Sequence, residues 1–148
     1  MYDLSDDQSS SPKNFILRIT KEEWYKQVFT IKKYYPGVPR SWEQDNIILL
    51  VRKAEKGDSF IGYGVVDRFV KRDSLPEEKR QKCEQMGWRG ELVFKELYIF
   101  EPPLLIKETI LKGSKAKGRY FHGYPLSQEE MKSILAKAKE QCTLNKIN

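Results

Sequence analysis

The stretch GDSFIGYGVVDRF, residues 57–69, is composed like a β-strand and interrupted like a turn. Phe60, Ile61, Tyr63, Val65, Val66 and Phe69 are strong strand formers, yet Gly62 and Gly64 stand on alternate positions among them. Glycine inside a strand weakens it, because no side chain packs there and more backbone entropy is lost on ordering. Two glycines on one face therefore need a reason. Either the strand bends sharply, as at a barrel corner, or a ligand or a second backbone lies close against that face.

The neighbouring segments give this strand its context. NIILLVRKA, residues 46–54, is a nearly continuous apolar run, as expected of a central strand buried on both faces. Only the turn Glu55-Lys56-Gly57-Asp58 separates the two, which predicts an antiparallel hairpin. Downstream, Ser74-Leu75-Pro76-Glu77 has capping-box spacing with proline in the first helical turn, and predicts a helix ending near Gly87. GELVFKELYIF, residues 90–100, predicts another strand, broken by Glu101-Pro102-Pro103. LLIKETIL (104–111) reads as a shorter extended piece, followed by the cationic KGSKAKGR (112–119).

Towards the N-terminus, residues 1–13 are acidic and Ser-rich, the composition of a loose tail. NFILRIT (14–20) predicts a first strand, and the capping box Thr20-Lys21-Glu22-Glu23 opens a helix carrying Trp24, Val28 and Phe29. YYPGVPRSWEQ (34–44), with two prolines and a glycine, predicts a long loop bearing Trp42. A third capping box, Ser127-Gln128-Glu129-Glu130, starts a last helix whose Met131, Ile134, Leu135, Ala138 and Cys142 share one face. Residues 143–148 read as a short tail. Strands clustered in the middle with helices around them predict an α+β fold, not a doubly wound parallel sheet. The expectation is one domain over residues 14–142, a small, curved, mostly antiparallel β-barrel packed by about three helices.

Composition narrows the function classes. At 148 residues, 39% hydrophobic and 32% charged, the chain is long enough for a real core and is not of disordered composition. It contains no apolar run near the ~18 residues that span a membrane and no signal-peptide pattern, so a cytoplasmic protein is expected. A formal net charge of +6 would speed encounters with a polyanion. Cys83 and Cys142 are far apart in helical segments and read as buried or half-buried free thiols, with a disulfide as the alternative. Catalytic signatures are thin: the lone histidine, His122, sits among aromatics and reads as a packing or hydrogen-bonding residue. There is no metal-spaced cysteine pair, no Walker loop, no nucleophile elbow and no dinucleotide fingerprint. No cofactor, no metal and no enzymatic activity are expected.

Aromatic residues make up 12% of the chain, and several lie outside the apolar stripes. Trp42 sits in the Pro-rich loop, Trp88 follows a helix end in Met86-Gly87-Trp88-Arg89-Gly90, and Tyr34 and Tyr35 open the first loop. A loop tryptophan can plug one end of a barrel. It can also form a stacking platform, in which two aromatic planes hold a flat base or a methylated nitrogen.

The order of these features resembles the PUA-like superfamily, and within it the EVE and YTH domains. The likeness rests on Gly37-Val38 with Ser41-Trp42, the IILLV run 47–51, Phe60-Ile61-Gly62-Tyr63-Gly64, Trp88-Arg-Gly-Glu-Leu-Val-Phe94 and LYIFEPP. It also includes the Gly57-Asp58 turn and the helix after Pro125. The resemblance spans roughly residues 14–138, with departures: Ser and Trp occur in reversed order, Arg40 has no counterpart, and Gly64 replaces the usual alanine. It implies binding of nucleic acid, RNA ahead of DNA, through a pocket for a modified or flipped base. Trp42 would form one wall and Trp88 or Tyr63 the other, with Ser41 and Asn46 reading the base edge and Gly62 and Gly64 leaving clearance. Arg40, Lys112, Lys115, Lys117 and Arg119 would contact phosphates. Two other readings compete. One is an acyl-CoA-dependent N-acetyltransferase, which needs KGSKAKGR to enter a helix directly, whereas RYFHGYPL intervenes. The other is a small-ligand or protein-interaction module on the same barrel.

Overall fold

The computed structural model describes residues 14–114 and 121–148. The expected N-terminal tail, and Lys115, Lys117 and Arg119 of the expected phosphate set, lie outside the described residues. The elements run β1 (Asn14–Arg18), α1 (Glu22–Ile31), β2 (Lys33–Tyr34), β3 (Ile47–Ala54), β4 (Gly57–Lys71), α2 (Glu77–Met86) and β5 (Gly90–Leu105). They end with β6 (Tyr124–Leu126), α3 (Gln128–Gln141) and β7 (Thr143–Lys146). The seven strands form one sheet in the order β2-β5-β4-β3-β1-β6, with β7 also on β5. Among the described residues only β1 and β3 pair in parallel.

The expected barrel is corrected: the sheet is not closed. The apolar run of β3 shows why. Ile48 and Leu50 enter one core with Phe15 and Leu17 of β1, whereas Leu49 and Val51 enter a second with Ile16. A small barrel offers one interior, but these strands bury both faces, so each face takes its own cover. Val28, with the half-buried Trp24, Tyr25 and Phe29, brings α1 onto the first core. Met131, Ile134 and Ala138 bring α3 onto the second. Fully burying a side chain such as Met131 or Ile134 contributes about 1.5–3 kcal/mol, more than helix propensity does.

The hairpin β3–β4 forms as expected, pairing Ala54 with Gly57 at its turn. The two glycines of β4 are explained within the sheet. A Cβ on Gly62 would fall 2.1 Å from the Tyr98 carbonyl oxygen of β5, and one on Gly64 would fall 2.5 Å from Cδ1 of Phe94. A second backbone occupies the first space and core side chains the second. Neither glycine leaves clearance for a ligand, which removes both from the expected base-binding set.

Other boundaries differ for local reasons. β5 continues through Pro102 and Pro103 because its pairing with β4 slips from Gly62–Ile99 to Phe60–Leu104. The prolines fall in that irregularity, where no ladder N–H is required. LLIKETIL is not an extended piece after its first two residues. It folds into two 3₁₀ turns, Ile106–Glu108 and Ile110–Gly113, joined by Thr109, whose hydroxyl donates to the Ile106 carbonyl and accepts from the Leu111 N–H. The C-terminal segment is no simple tail, since Thr143–Lys146 pairs with Tyr98–Glu101 of β5. Of the three expected capping boxes only that of α3 forms, with Ser127 and Glu130 bonded reciprocally. Helices α1 and α2 start after Lys21 and Pro76 without side-chain caps.

Gly62→Ala is expected to destabilise the protein by about 2–4 kcal/mol, because a backbone must move. Gly64→Ala should cost about 1–2 kcal/mol, since the Phe94 ring can shift. Urea unfolding of the two variants measures the difference.

Candidate nucleic-acid interface

The residues expected to wall one base pocket are dispersed. Trp42 is 6% exposed and packs edge-on against Phe15, with ring centres 5.2 Å apart, in the core beneath α1. Its indole Nε1 is buried with no hydrogen-bond partner among the described residues. Tyr63 packs against the other core and stacks on Tyr98 at 4.7 Å. Trp42 and Tyr63 therefore sit on opposite faces of the sheet and cannot clamp one base. Asn46 is buried and its Oδ1 accepts the Glu43 N–H at 2.8 Å, which makes it a turn residue. Lys112 lines a pocket with Lys56 and Lys107 at the hairpin end of β4. Arg40 and Ser41 instead share a pocket with Lys71, at the far end of that strand. At ~3.3 Å per residue, β4 puts roughly 45 Å of contour between the two ends.

Trp88 is the expected residue that does line an aromatic cavity, and its position is set by α2. Gly87 ends that helix in the left-handed region at φ 75°, and the Trp88 N–H bonds back to the Cys83 carbonyl at 2.9 Å. The next N–H, of Arg89, donates to the Pro36 carbonyl at 2.8 Å, tying this corner to the loop after β2. Tyr35 thereby stacks on Trp88, with centres 5.2 Å apart and planes 21° from parallel. Trp24 of α1 meets Trp88 edge-on at 6.2 Å. These three rings, with Lys21, Lys79 and Lys82, line a cavity of about 490 Å³ between α1 and α2. Glu23 is the one carboxylate along its wall.

A buried carboxylate organises this cavity from behind. Glu91, at the start of β5, accepts from the Tyr35 hydroxyl at 2.6 Å and from Lys79 Nζ at 2.8 Å, with Lys33 Nζ at 3.7 Å. Burial by itself would raise the Glu91 pKa, but the hydrogen bonds from Lys79 and Tyr35 and the charge of Lys33 outweigh it and hold the group ionised. Burial, reinforced by the Glu91 carboxylate, raises the Tyr35 phenol, and the hydrogen bond to Glu91 raises Lys79. Tyr35 keeps its proton and its orientation, so the ring that stacks on Trp88 is fixed.

On the other side of the same corner lies a pocket of about 510 Å³ lined by Pro39, Arg40, Ser41, Lys71, Arg72 and Arg89, with Asp73 beside them. Arg40 Nε donates to the Gly123 carbonyl at 2.8 Å, and Arg72 Nη1 to the Trp88 carbonyl at 3.2 Å.

His122 accepts the Arg18 backbone N–H at its Nδ1, 2.9 Å away, and lies edge-on to Tyr34. Burial, then the charge of Arg18, lowers its pKa, in keeping with a neutral structural imidazole. Cys83 is buried and Cys142 half-buried, both as free thiols. Among the described residues no group of three or more His, Cys, Asp or Glu is placed to hold a metal ion, and no helix is long and apolar enough to cross a membrane. Sequence reasoning missed Trp24 and the Lys71, Arg72 and Arg89 cluster. It noted Tyr35 without giving it a partner. The only signal was the Gly87-Trp88-Arg89-Gly90 corner itself, aromatic and basic between two glycines.

The Glu91 pKa is lower in the folded chain than in the unfolded one. Its stabilising contribution is therefore complete above the ordinary glutamate value of about 4.3 and disappears as pH falls through the lowered folded value. Glu91→Gln is expected to lose about 1–2 kcal/mol at pH 7 and to show a flatter stability profile below about pH 5. Urea unfolding across that pH range measures both effects.

Comparison with protein-family models and with curated proteins gives no match. Solved structures do match. The ASCH protein from Zymomonas mobilis superimposes with a TM-score of 0.61 at 12% identity, over 88% of this chain and 96% of that one. A Tyr-to-Phe variant of it matches at 13% over 88% and 99%, and a Ser-to-Ala variant at 13% over 86% and 99%, both with a TM-score of 0.61. The matching structures are ASCH domains, which belong to the PUA-like superfamily. The chain shares the fold of these ASCH structures, α+β and built, among the described residues, on an open seven-stranded sheet.

Proposed function

We propose that this protein is a cytoplasmic nucleic-acid-binding module that takes a single-stranded ligand, RNA ahead of DNA, with one base seated in the cavity between α1 and α2. The observation that carries the reading is the stacked Trp88–Tyr35 pair, closed on one side by Trp24 and rimmed by Lys21, Lys79 and Lys82. Aromatic planes bind bases of any sequence through their π-faces, at about 1–3 kcal/mol per base, and lysines nearby attract the flanking phosphates. The preference for RNA rests on the sequence resemblance to PUA-like domains, which often bind RNA.

The mechanism is recognition without covalent chemistry. A base entering the cavity trades its neighbours in the strand for the Trp88 face, with the edge of Trp24 against its side. Unstacking a base costs a few kcal/mol, so bases already splayed out of a duplex are favoured. A methylated base adds dispersion and a partly positive edge that an electron-rich indole attracts, which is the reading closest to the EVE and YTH likeness. Glu91 contributes indirectly, by holding Tyr35 and Lys79 in place before the ligand arrives.

Tryptophan fluorescence during titration with eight-nucleotide single strands, RNA and DNA, plain and base-methylated, tests this. Saturable quenching is expected at low salt, with Trp88→Ala weakening binding about tenfold or more. Trp42→Phe should leave the affinity unchanged, because that indole lies in the core. Absence of quenching by every oligonucleotide, or a Trp88→Ala protein that binds as well as the parent, would remove the reading.

A further inference from the structure

We infer that the pocket formed by Arg40, Lys71, Arg72 and Arg89 is a phosphate site, and that it holds a backbone phosphodiester of the strand whose base occupies the neighbouring aromatic cavity. The phosphate assignment stands on the pocket alone; only the identity of the phosphate's bearer rests on the function proposed above.

Charge balance supports a ligand here. Elsewhere among the described residues, many cations are matched locally: Arg18 with Asp58, Arg52 with Glu22, Arg68 with Asp67, Lys79 with Glu91, Lys95 with Asp45. None of the four cations lining this pocket has a carboxylate within salt-bridge distance among the described residues, although Asp73 lines the same space. Four cations and one carboxylate around one concavity leave an excess of positive charge, and a bound anion relieves that repulsion.

The donors are also arranged in advance. Arg40 is anchored by Nε on the Gly123 carbonyl, with Nη1 on the Pro39 carbonyl, and Arg72 by Nη1 on the Trp88 carbonyl. Each guanidinium has five N–H donors in a fixed plane, so each keeps donors to spare after anchoring. Lys71 and Arg89 make no side-chain hydrogen bond or ion pair among the described residues and are free to close on a ligand. A tetrahedral oxyanion, with several acceptor oxygens, matches planar forks and ammonium groups converging from different sides.

Position ties the pocket to the cavity. Trp88 walls the cavity while its carbonyl holds Arg72, and the adjacent Arg89 lines the pocket. One corner of the chain therefore presents a stacking surface and a phosphate cradle side by side, the repeat that a polynucleotide presents. A free base could fill only the cavity, and a strand can fill both.

The test uses Lys71→Gln/Arg89→Gln, whose side chains support no other described contact, and a surface control of equal charge change on α3, Lys132→Gln/Lys139→Gln. Binding of an eight-nucleotide RNA, with and without a 5′-phosphate, is followed by anisotropy at several salt concentrations. The inference predicts affinity lower by roughly tenfold at low salt for the pocket variant. The slope of log K against log salt should shrink by about 0.7, the value for one lost phosphate contact on a single strand, while the control stays near the parent. Both RNAs should respond alike. An unchanged slope, an equal loss in the control, no measurable RNA binding at low salt, or a loss confined to the 5′-phosphorylated RNA would each overturn the inference that the pocket holds a strand's phosphodiester. Trp88→Ala in the same series separates the two claims. If it binds normally while the pocket variant loses its slope, the aromatic reading falls and the phosphate site stands.

Discussion

The pairing of β4 with β5 depends on two places where a carbonyl occupies the room a side chain would need. At Gly62 it is the Tyr98 oxygen, and at Gly90 it is the Val70 oxygen, 2.2 Å from where a Cβ would sit. Between these crossings the two longest strands run as one twisted ribbon, and much else is attached to it. β2 and β7 pair with β5, β3 pairs with β4, and the Phe94 N–H reaches the Lys32 carbonyl at the end of α1. Gly90 fixes where the ribbon begins, so it also fixes where the corner holding Trp88 and Arg89 emerges.

That corner is the meeting point of three segments distant in sequence. The loop after β2 reaches it through Pro36 and Tyr35, α1 through Trp24, and the end of β4 through Arg72, whose N–H bonds to the Arg89 carbonyl at 3.0 Å. The charges there fall into two groups with different tasks. Lys33 and Lys79 are held by the buried Glu91 and stiffen the aromatic cavity, whereas the cations of the neighbouring pocket have no carboxylate partner among the described residues.

Much of the fold was legible in the sequence because its signals are local. The continuous apolar run of β3, the tight turn into β4, Gly87 as the stop of α2, and the Ser127–Glu130 box of α3 each act within a few residues. The glycines of β4 were legible as a close approach, but nothing local distinguishes a ligand from the Tyr98 carbonyl. Long-range pairing was not legible: Thr143–Lys146 has no strand signature until β5 offers it an edge, and the prolines of β5 are tolerated only because the register slips around them. The site was half legible for the same reason. Trp42 and Trp88 look alike as loop tryptophans, and only the core packing of Phe15 decides that the first is buried. Tyr35 becomes the partner of Trp88 through one backbone hydrogen bond from Arg89 to Pro36, which no spacing rule anticipates.

The central claim is that the binding surface lies at the Trp88 corner and not around Trp42. The three indole N–H groups of Trp24, Trp42 and Trp88 give one resonance each in a ¹⁵N correlation spectrum, assignable by single Trp→Phe substitutions. Adding a short single-stranded RNA at low salt should shift the Trp88 and Trp24 resonances together and leave that of Trp42 in place. Movement of the Trp42 resonance with Trp88 and Trp24 unmoved would contradict the account.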